Sequence, residues 1–167
     1  MPTLLEQPVA VTRMLVTTPE QARAVEDPAR AKILELLYRQ DMTADQLAED
    51  LRKAGHDKAL TTVRHHIRVL RGAGLVQVTR IDEVRGTISK RYGTQIRLLN
   101  YETPEDFESK YAKIIGTTSA RMDKILRNIR ASLPAPKSDK QPESYYHYLA
   151  VEILNRAVTA SLETNRD

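Results

Sequence analysis

The stretch Thr61–Val76, T-T-V-R-H-H-I-R-V-L-R-G-A-G-L-V, decides the fold of this chain. Its apolar residues recur at spacings of four and three and would share one side of an α-helix: Val63, Ile67 and Leu70. Its polar residues would lie on the opposite side: Thr61, Arg64, His65 and Arg68. With Thr61 as the N-cap and glycines at 72 and 74, the sequence predicts an amphipathic helix over 61–71.

Three further helices are predicted upstream. Thr-Pro-Glu-Gln at 18–21 has the pattern of a capping box and predicts a short helix over 19–26. Asp-Pro at 27–28 opens a first core helix, whose apolar residues continue at helical spacing to about residue 40. Thr43 caps a second core helix, which buries leucines on one side and stops at Gly55.

Downstream of the helix over 61–71, the period changes from helical to alternating. Every second residue from Val76 to Arg80 is predicted to share one face of a strand. Turn residues at 83–86 and a second β-rich run over 87–98 predict a hairpin whose arms carry arginines. Two core helices, the helix over 61–71 and a basic hairpin follow one another in the order of a winged helix-turn-helix. We therefore expect a mainly α protein with a small β-hairpin (α+β), with the wing over 76–96.

The remaining segments are predicted to lie outside this winged domain. Residues 1–17 would form an arm or a short strand, and a polar, proline-rich linker at 134–143 separates two long helices over 104–133 and 144–167. These helices carry more apolar surface than a winged domain of about 80 residues can cover. We therefore expect them to form the interface of a homodimer with twofold symmetry.

The composition is that of a soluble globular protein, with 41% hydrophobic and 29% charged residues among 167. No apolar run approaches the roughly 18 residues that a membrane span needs, so we expect a cytoplasmic protein without a membrane partner. The chain has no cysteine, which excludes disulfides and thiolate metal sites.

The charge is concentrated in one segment. Residues 60–97 contain eight lysines and arginines against two acids, a net charge of +6, while the other 129 residues sum to −2. A basic block on a slightly acidic body is expected of a protein that binds a phosphate backbone, although a solvated basic face has the same charge pattern.

Four short motifs in this order resemble the winged-helix transcription regulators of the ArsR-like group. They are D-P-A-R at 27–30, T-A-D-Q-L-A at 43–48, T-V-R-H-H-I-R-V-L at 62–70 and G-L-V at 74–76. The resemblance covers about residues 18–98 and implies a homodimeric, sequence-specific DNA-binding protein, with the DNA-binding domain over 18–99. Two features depart from the group: the loop over 55–60 is longer than usual, and the cysteines of its metal sensors are absent.

His65 and His66 are adjacent, and histidine is a common metal ligand. Adjacent residues on a helix diverge by about 100°, so His65 and His66 do not converge on one ion, and we expect neither a metal nor another cofactor. His65 is predicted to face a DNA groove. For His66 we favour a packed side chain with one ring nitrogen satisfied over a contact to a base.

The sequence contains none of the catalytic motifs that we considered. It has no phosphate loop, no glycine-rich nucleophile turn and no His-Glu-x-x-His spacing, so we expect no enzyme. Glu143 and His147 stand four residues apart, and a surface pair is favoured over a weak metal site.

The predicted DNA-binding residues fall in two groups. Those of the helix over 61–71, which would enter the major groove, are Thr61, Thr62, Arg64, His65 and Arg68. Those of the wing, which would contact the backbone or the minor groove, are Arg80, Arg85, Lys90 and Arg91. The partner is expected to be a palindromic double-stranded operator, and a small-molecule effector of unknown identity is left open.

Two other functions fit the same fold. A winged helix can serve as a protein-interaction module within a larger assembly, or it can bind RNA. A protein-interaction module would normally expose apolar side chains on the helix that precedes the wing. Here the helix over 61–71 is predicted to expose arginines and a histidine instead. Phosphate contacts alone do not separate DNA from RNA.

Overall fold

The computed structural model describes residues 3–134 and 143–165. Its elements, in chain order, are α1 (Pro19–Val25), α2 (Pro28–Arg39), β1 (Met42–Thr43), α3 (Ala44–Lys53), α4 (Leu60–Gly72), β2 (Val76–Val84), β3 (Thr87–Thr94), α5 (Phe107–Ser132) and α6 (Glu143–Thr164). They belong to two compact units, one of Thr17–Glu102 and one formed by the described parts of Met1–Val16 and Thr103–Asp167. The first unit is an α+β winged helix, which confirms the predicted fold class.

The first three helices begin where the capping residues predict. Thr18 and Thr43 each accept a hydrogen bond from the N–H three residues on, and each donates its own N–H to the side chain of that residue, which is a glutamine. Asp27 caps α2 by accepting from the N–H groups of Ala29 and Arg30, at 2.8 and 3.2 Å. The Arg30 guanidinium donates back to the Ala24 carbonyl at 2.6 Å, which ties the end of α1 to α2.

A glycine follows the end of α3 and of α4 and turns the chain out of each helix. Gly55 and Gly74 adopt φ of +87° and +72°, the left-handed conformation that glycine takes without a steric penalty. After each of them the next N–H reaches back five residues to a carbonyl, from His56 to Leu51 at 2.8 Å and from Leu75 to Leu70 at 3.0 Å. Both stops were predicted.

The start of α4 differs from the prediction. The helix begins at Leu60 with Ala59 as its N-cap, and none of the described side chains forms a capping hydrogen bond with it. Thr61 therefore lies within the first turn, where its hydroxyl is exposed. The prediction that Thr61 is the cap was wrong by two residues, and the hydroxyl is free to contact a ligand.

A core of leucines, isoleucines and valines joins the helices of the first unit. Ile33, Leu47, Leu51, Val63 and Leu70 have no exposed surface. These side chains come from the sides of α2, α3 and α4 that helical spacing predicted to be apolar. The opposite side of α4 is thereby held at the surface.

The sheet has one strand more than the sequence predicted. Its order is β1-β3-β2, with both pairs antiparallel, and β1 contributes only Met42 and Thr43, which pair with Tyr92 and Arg91. A two-residue strand gives no alternating pattern, so the sequence could not reveal it. By pairing with β3, β1 fixes the wing to the start of α3.

The second β-rich run ends earlier than predicted, at Thr94 instead of residue 96 or 98. The Thr94 hydroxyl donates to the Ile96 carbonyl at 2.9 Å and accepts from its N–H at 3.2 Å, which turns the chain out of the sheet. Beyond the turn, the Arg97 guanidinium carbon lies 4.7 Å from the centroid of the Tyr38 ring. This contact attaches the segment after the wing to α2.

An irregularity in β2 overturns the predicted alternation from Val76 to Arg80. Val78 pairs with Tyr92, but Arg80 rather than Thr79 pairs with Arg91, so Thr79 is an extra residue. Such a bulge changes which face the following side chains occupy. Arg80 is consequently on the face opposite to Val76 and Val78.

The second unit consists of helices that bury little in one chain. α5 has no buried residue, and Ala150 is the buried residue of α6. The two helices meet where the Tyr146 hydroxyl donates to the Leu126 carbonyl at 3.2 Å and the Arg130 guanidinium lies 4.6 Å from the Tyr146 ring centroid. Within the described ranges, no helix has the length and apolar character needed to cross a membrane.

The ends of this unit depart slightly from the predicted boundaries. A turn closed by the Phe107 N–H and the Pro104 carbonyl, 3.0 Å apart, delays the start of α5 from 104 to Phe107. Residues 3–17 form neither helix nor strand, and Leu4 is 94% exposed. Of the predicted linker, residues 135–142 lie outside the described residues.

Gly93 provides a test of the bulge. A Cβ at this position would lie 2.7 Å from Asp41 Oδ1 and 2.8 Å from Thr79 Cγ2, so Gly93→Ala should destabilise the protein by about 1 to 3 kcal/mol. Gly116→Ala is the matched control, because a Cβ there meets open space in the middle of α5 and should stabilise by roughly 0.5 to 1 kcal/mol. Urea denaturation of both variants measures the two effects, and a Gly93→Ala protein as stable as wild type would contradict the close contact.

Candidate nucleic-acid interface

The outward side of α4 is cationic and unengaged. Arg64, His65 and Arg68 are exposed, whereas Val63 and Ile67 on the inner side are buried. Among residues 3–134 and 143–165, neither arginine has an ion-pair or hydrogen-bond partner. Thr61 is exposed and Thr62 is half-buried at the same end of the helix. This side of α4 can therefore donate hydrogen bonds to an external acceptor.

A cleft of about 340 Å³ lies between α4 and the wing. Arg64 of α4 borders it on one side, and Ile88, Lys90 and Tyr92 of β3 border it on the other. Its floor includes the start of α3, residues 43–45. The structure thus brings together two predicted site residues, Arg64 and Lys90, that are 26 positions apart in the sequence.

The start of α3 gives the cleft a mixed electrostatic character. The N-terminal end of a helix carries a partial positive charge and attracts anions. Asp45 lies in the first turn of α3, is exposed and lines the same cleft, so its carboxylate opposes that attraction. The cleft therefore holds two cationic side chains and one anionic side chain.

The register of the hairpin assigns each wing residue to a face. Residues that pair directly across two strands share a face, and so do residues two apart along one strand. The face that continues from the core through Val78 and Tyr92 bears Lys90, Ile81, Glu83 and Ile88, and it is the face beside the cleft. We call it the cleft face of the wing.

Two of the predicted wing residues lie on the other face and have partners there. Arg80 donates from Nε to Asp82 Oδ1 at 2.8 Å. Arg91 donates from Nη1 to the Asp41 carbonyl at 3.3 Å. The structure thus does not bring Arg80 and Arg91 together with Arg64 and Lys90.

Arg85 occupies the tip of the wing in a strained conformation. It has φ of 52° and precedes Gly86 with φ of 77°, a turn in which both central residues are left-handed. Such turns match the twist of a hairpin but favour Asn-Gly, and an L-residue with a Cβ costs roughly 1 to 2 kcal/mol there. An arginine held at this position presents a charge at the point of the wing farthest from the core.

His66 differs from what the sequence predicted. It is 6% exposed, and neither of its ring nitrogens has a hydrogen-bond partner among the described residues, whereas we expected one nitrogen to be hydrogen-bonded. Burial lowers the pKa of His66 below its ordinary value, and the charges of Arg30, His65 and Lys58 lower it further, while Asp27 raises it. The pKa shift therefore favours the neutral ring within α4.

No group of three metal-ligating side chains is found among the described residues. The rings of His65 and His66 are tilted by 47° with their centroids 6.1 Å apart, so they diverge as helical geometry predicts. The two histidines have different environments because His65 lies on the exposed side of α4 and His66 lies on the buried side.

Sequence reasoning missed the cleft, the role of Asp45 and the apolar part of the cleft face. The cleft depends on β1, which is too short to recognise. The bulge had one signal, since a lone glycine within a strand pattern, here Gly93, often marks a bulge or a close approach of two strands.

Comparison with known proteins agrees with this geometry. A family model described as a helix-turn-helix domain matches residues 25–79, which run from the end of α1 through α4 into β2. None of the curated proteins compared with the chain matches it. The family match supports a helix-turn-helix regulator that binds DNA, and the likeness to the ArsR-like group stays a prediction.

The buried imidazole predicts an acid-sensitive domain. Because the pKa of His66 is lowered in the folded protein from its ordinary 6.5, the unfolded chain binds more protons in acid. The contribution of His66 to stability should be complete above about pH 6.5 and should be lost as the pH falls toward the folded pKa. His66→Leu should remove this dependence and be at least as stable at pH 7.

Thermal unfolding of both proteins between pH 7.5 and pH 5 checks this prediction. His65→Gln controls for the loss of one imidazole from the exposed side of α4. Equal pH dependence in wild type and His66→Leu would show that the buried ring is not the titrating group.

Proposed function

We propose that this protein is a sequence-specific, double-stranded DNA-binding transcription regulator of the ArsR-like kind. In this proposal it acts as a homodimer in the cytoplasm and has no enzymatic activity. The observation that carries the proposal is the shared cleft, because two cations from separate elements, Arg64 and Lys90, border the same space beside the helix-turn-helix domain.

The shape of the cleft suits one strand of a duplex. If α4 enters the major groove, the phosphate backbone at the edge of that groove runs between α4 and the wing. Lys90 then neutralises a phosphate, while Arg64 and His65 face base edges. The tip of the wing, with Arg85, reaches the adjacent minor groove.

The acidic residues of the interface give it selectivity rather than affinity. Asp45 lines the cleft, and Glu83 lies on the cleft face near the tip. A carboxylate beside a phosphate repels it, so these side chains weaken every docking position in which a phosphate falls next to them. Binding is then strongest at the docking position in which phosphates lie next to the cations and away from these carboxylates.

Dimerisation rests on the second unit. α5 exposes Ile114, Ile115 and Ile125 by 62, 42 and 44%, and α6 exposes Val158 and Leu162 by 52 and 64%. Contiguous apolar surface on long helices commonly marks an interface. In a twofold dimer the two α4 helices would address half-sites about one helical turn, or a multiple of it, apart.

Arg64→Ala and Lys90→Ala test the DNA-binding proposal. Arg64→Ala should weaken binding to the cognate duplex by roughly 1 to 3 kcal/mol and lower the ratio of cognate to scrambled affinity. Lys90→Ala should weaken both duplexes alike and reduce the slope of log affinity against log salt by about one per protomer. Arg52→Ala, which removes an exposed cation at the far end of α3, is the control.

The duplexes are obtained by selecting wild-type protein on a random DNA pool, and affinities are measured by fluorescence anisotropy at several salt concentrations. Single-stranded RNA serves as a competitor. Preferential binding of the RNA, or an unchanged affinity ratio in Arg64→Ala, would refute DNA reading by α4.

Ile114→Glu tests the dimer. Placing a charge within the exposed apolar surface of α5 should convert a dimer into a monomer at micromolar concentration, because an unpaired carboxylate would have to be buried. Ala120→Glu adds the same charge on the side of the helix away from Ile114 and Ile115 and should leave the dimer intact. Sedimentation equilibrium distinguishes the two outcomes, and a monomeric wild-type protein would rule out the homodimer.

A further inference from the structure

The cleft face of the wing ends in exposed apolar side chains. Ile81 is 61% exposed and Ile88 is 66% exposed. Ile81 pairs with Lys90 across the hairpin, and Ile88 pairs with Glu83, so the two isoleucines are diagonal neighbours. Two large apolar side chains therefore lie beside the one cation of this face.

The bulge places Ile81 there. If β2 had no bulge and Thr79 paired with Arg91, Arg80 would pair with Lys90, and a second cation would occupy the cleft face. With it, Arg80 turns to the other face and pairs with Asp82, and Ile81 takes the position opposite Lys90. Bulges near functional sites re-aim side chains in this way.

The bulge is also held in place by packing. Thr79 Cγ2 would lie 2.8 Å from a Cβ at Gly93, closer than ordinary van der Waals contact, and the Thr79 hydroxyl donates to the Arg91 carbonyl at 3.5 Å. The register of the outer wing is thus set by contacts near the core. The apolar pair results from this register and not from chance exposure at a loose tip.

We infer that Ile81 and Ile88 read the minor groove of DNA through apolar contact and favour A·T over G·C pairs there. The inference rests on the proposed function, since it takes a duplex as the ligand. With Lys90 on a phosphate of the cleft, the isoleucines would lie against deoxyribose carbons and the edges of the bases.

The preference follows from the chemistry of the minor groove. A·T pairs present only acceptors there, whereas G·C pairs add the guanine N2 amino group. An isoleucine side chain that excludes water from this amino group offers it no acceptor, so the donor is left unsatisfied. A G·C pair beneath the isoleucines is therefore disfavoured without any direct hydrogen bond to a base.

Glu83 shares the cleft face and would act in the opposite sense. Its carboxylate is an acceptor and could receive the guanine amino group, which would favour G·C. The two side chains thus make opposite predictions about the same base pairs, and an experiment can separate them.

The test uses the duplex selected by wild-type protein and replaces, one at a time, the A·T pairs that flank the segment contacted by α4. G·C substitution at a wing position should weaken wild-type binding by about 5- to 10-fold. An inosine·cytosine pair, which lacks the N2 amino group but has a major-groove edge like that of G·C, should bind like A·T. An inosine·cytosine pair that binds as weakly as G·C would overturn the inference, because reading would then occur in the major groove.

The protein variants are Ile81→Thr and Ile88→Thr, which keep a β-branched side chain suited to a strand. Both should bind A·T and G·C flanks with nearly equal affinity and keep the salt slope of wild type. Val84→Thr is the matched control, because Val84 is 54% exposed on the opposite face of the wing, and it should retain the preference for A·T.

The outcomes separate this inference from the proposed function. If wild type enriches no sequence, DNA recognition itself fails. If wild type and Arg64→Ala behave as proposed but the isoleucine variants keep the preference for A·T, only the apolar reading is overturned. A preference for G·C that Glu83→Ala abolishes would assign the reading to the Glu83 carboxylate instead, because alanine has no side-chain acceptor.

Discussion

The contact between Thr79 and Gly93 sets the geometry of the whole wing. Gly93 of β3 pairs with Gln77 of β2, and a Cβ at Gly93 would lie 2.7 Å from Asp41 Oδ1 and 2.8 Å from Thr79 Cγ2, so a larger side chain there would displace its neighbours. One extra residue in β2 is accommodated there, and every side chain from Arg80 to the tip is assigned to a face as a result. The charges that border the cleft therefore depend on a steric constraint near the core.

The helical part of the fold could be predicted from sequence because its signals are local. Capping residues such as Thr43, stop glycines such as Gly55 and apolar spacing such as that of Val63 and Ile67 each act within a few residues. The sheet could not be predicted fully, because β1 has two residues and its pairing with Tyr92 joins distant parts of the chain. The face of Arg80 was missed for the same reason: it depends on a non-local register.

The candidate site shows the same division. Exposure of Arg64, His65 and Arg68 follows from one helix and was predictable, but the meeting of Arg64 with Lys90 requires the sheet. A count of charges also overstates what is available to a ligand. Of the basic block, Arg80 and Arg91 have protein partners and Arg97 packs on a tyrosine ring, so fewer cations are unengaged than the net charge of +6 suggests.

In the proposed homodimer, the absence of buried residues from the 26-residue helix α5 of one chain has a consequence for how the protein would respond to its own concentration. Isolated helices are only marginally stable in water, so most of the stability of α5 would come from a second copy of the chain. Folding of this part and association would then be one equilibrium, whose position depends on protein concentration. Occupancy of an operator by dimers would rise with about the square of the monomer concentration at low expression. The cell would consequently experience a threshold in protein abundance rather than a graded response.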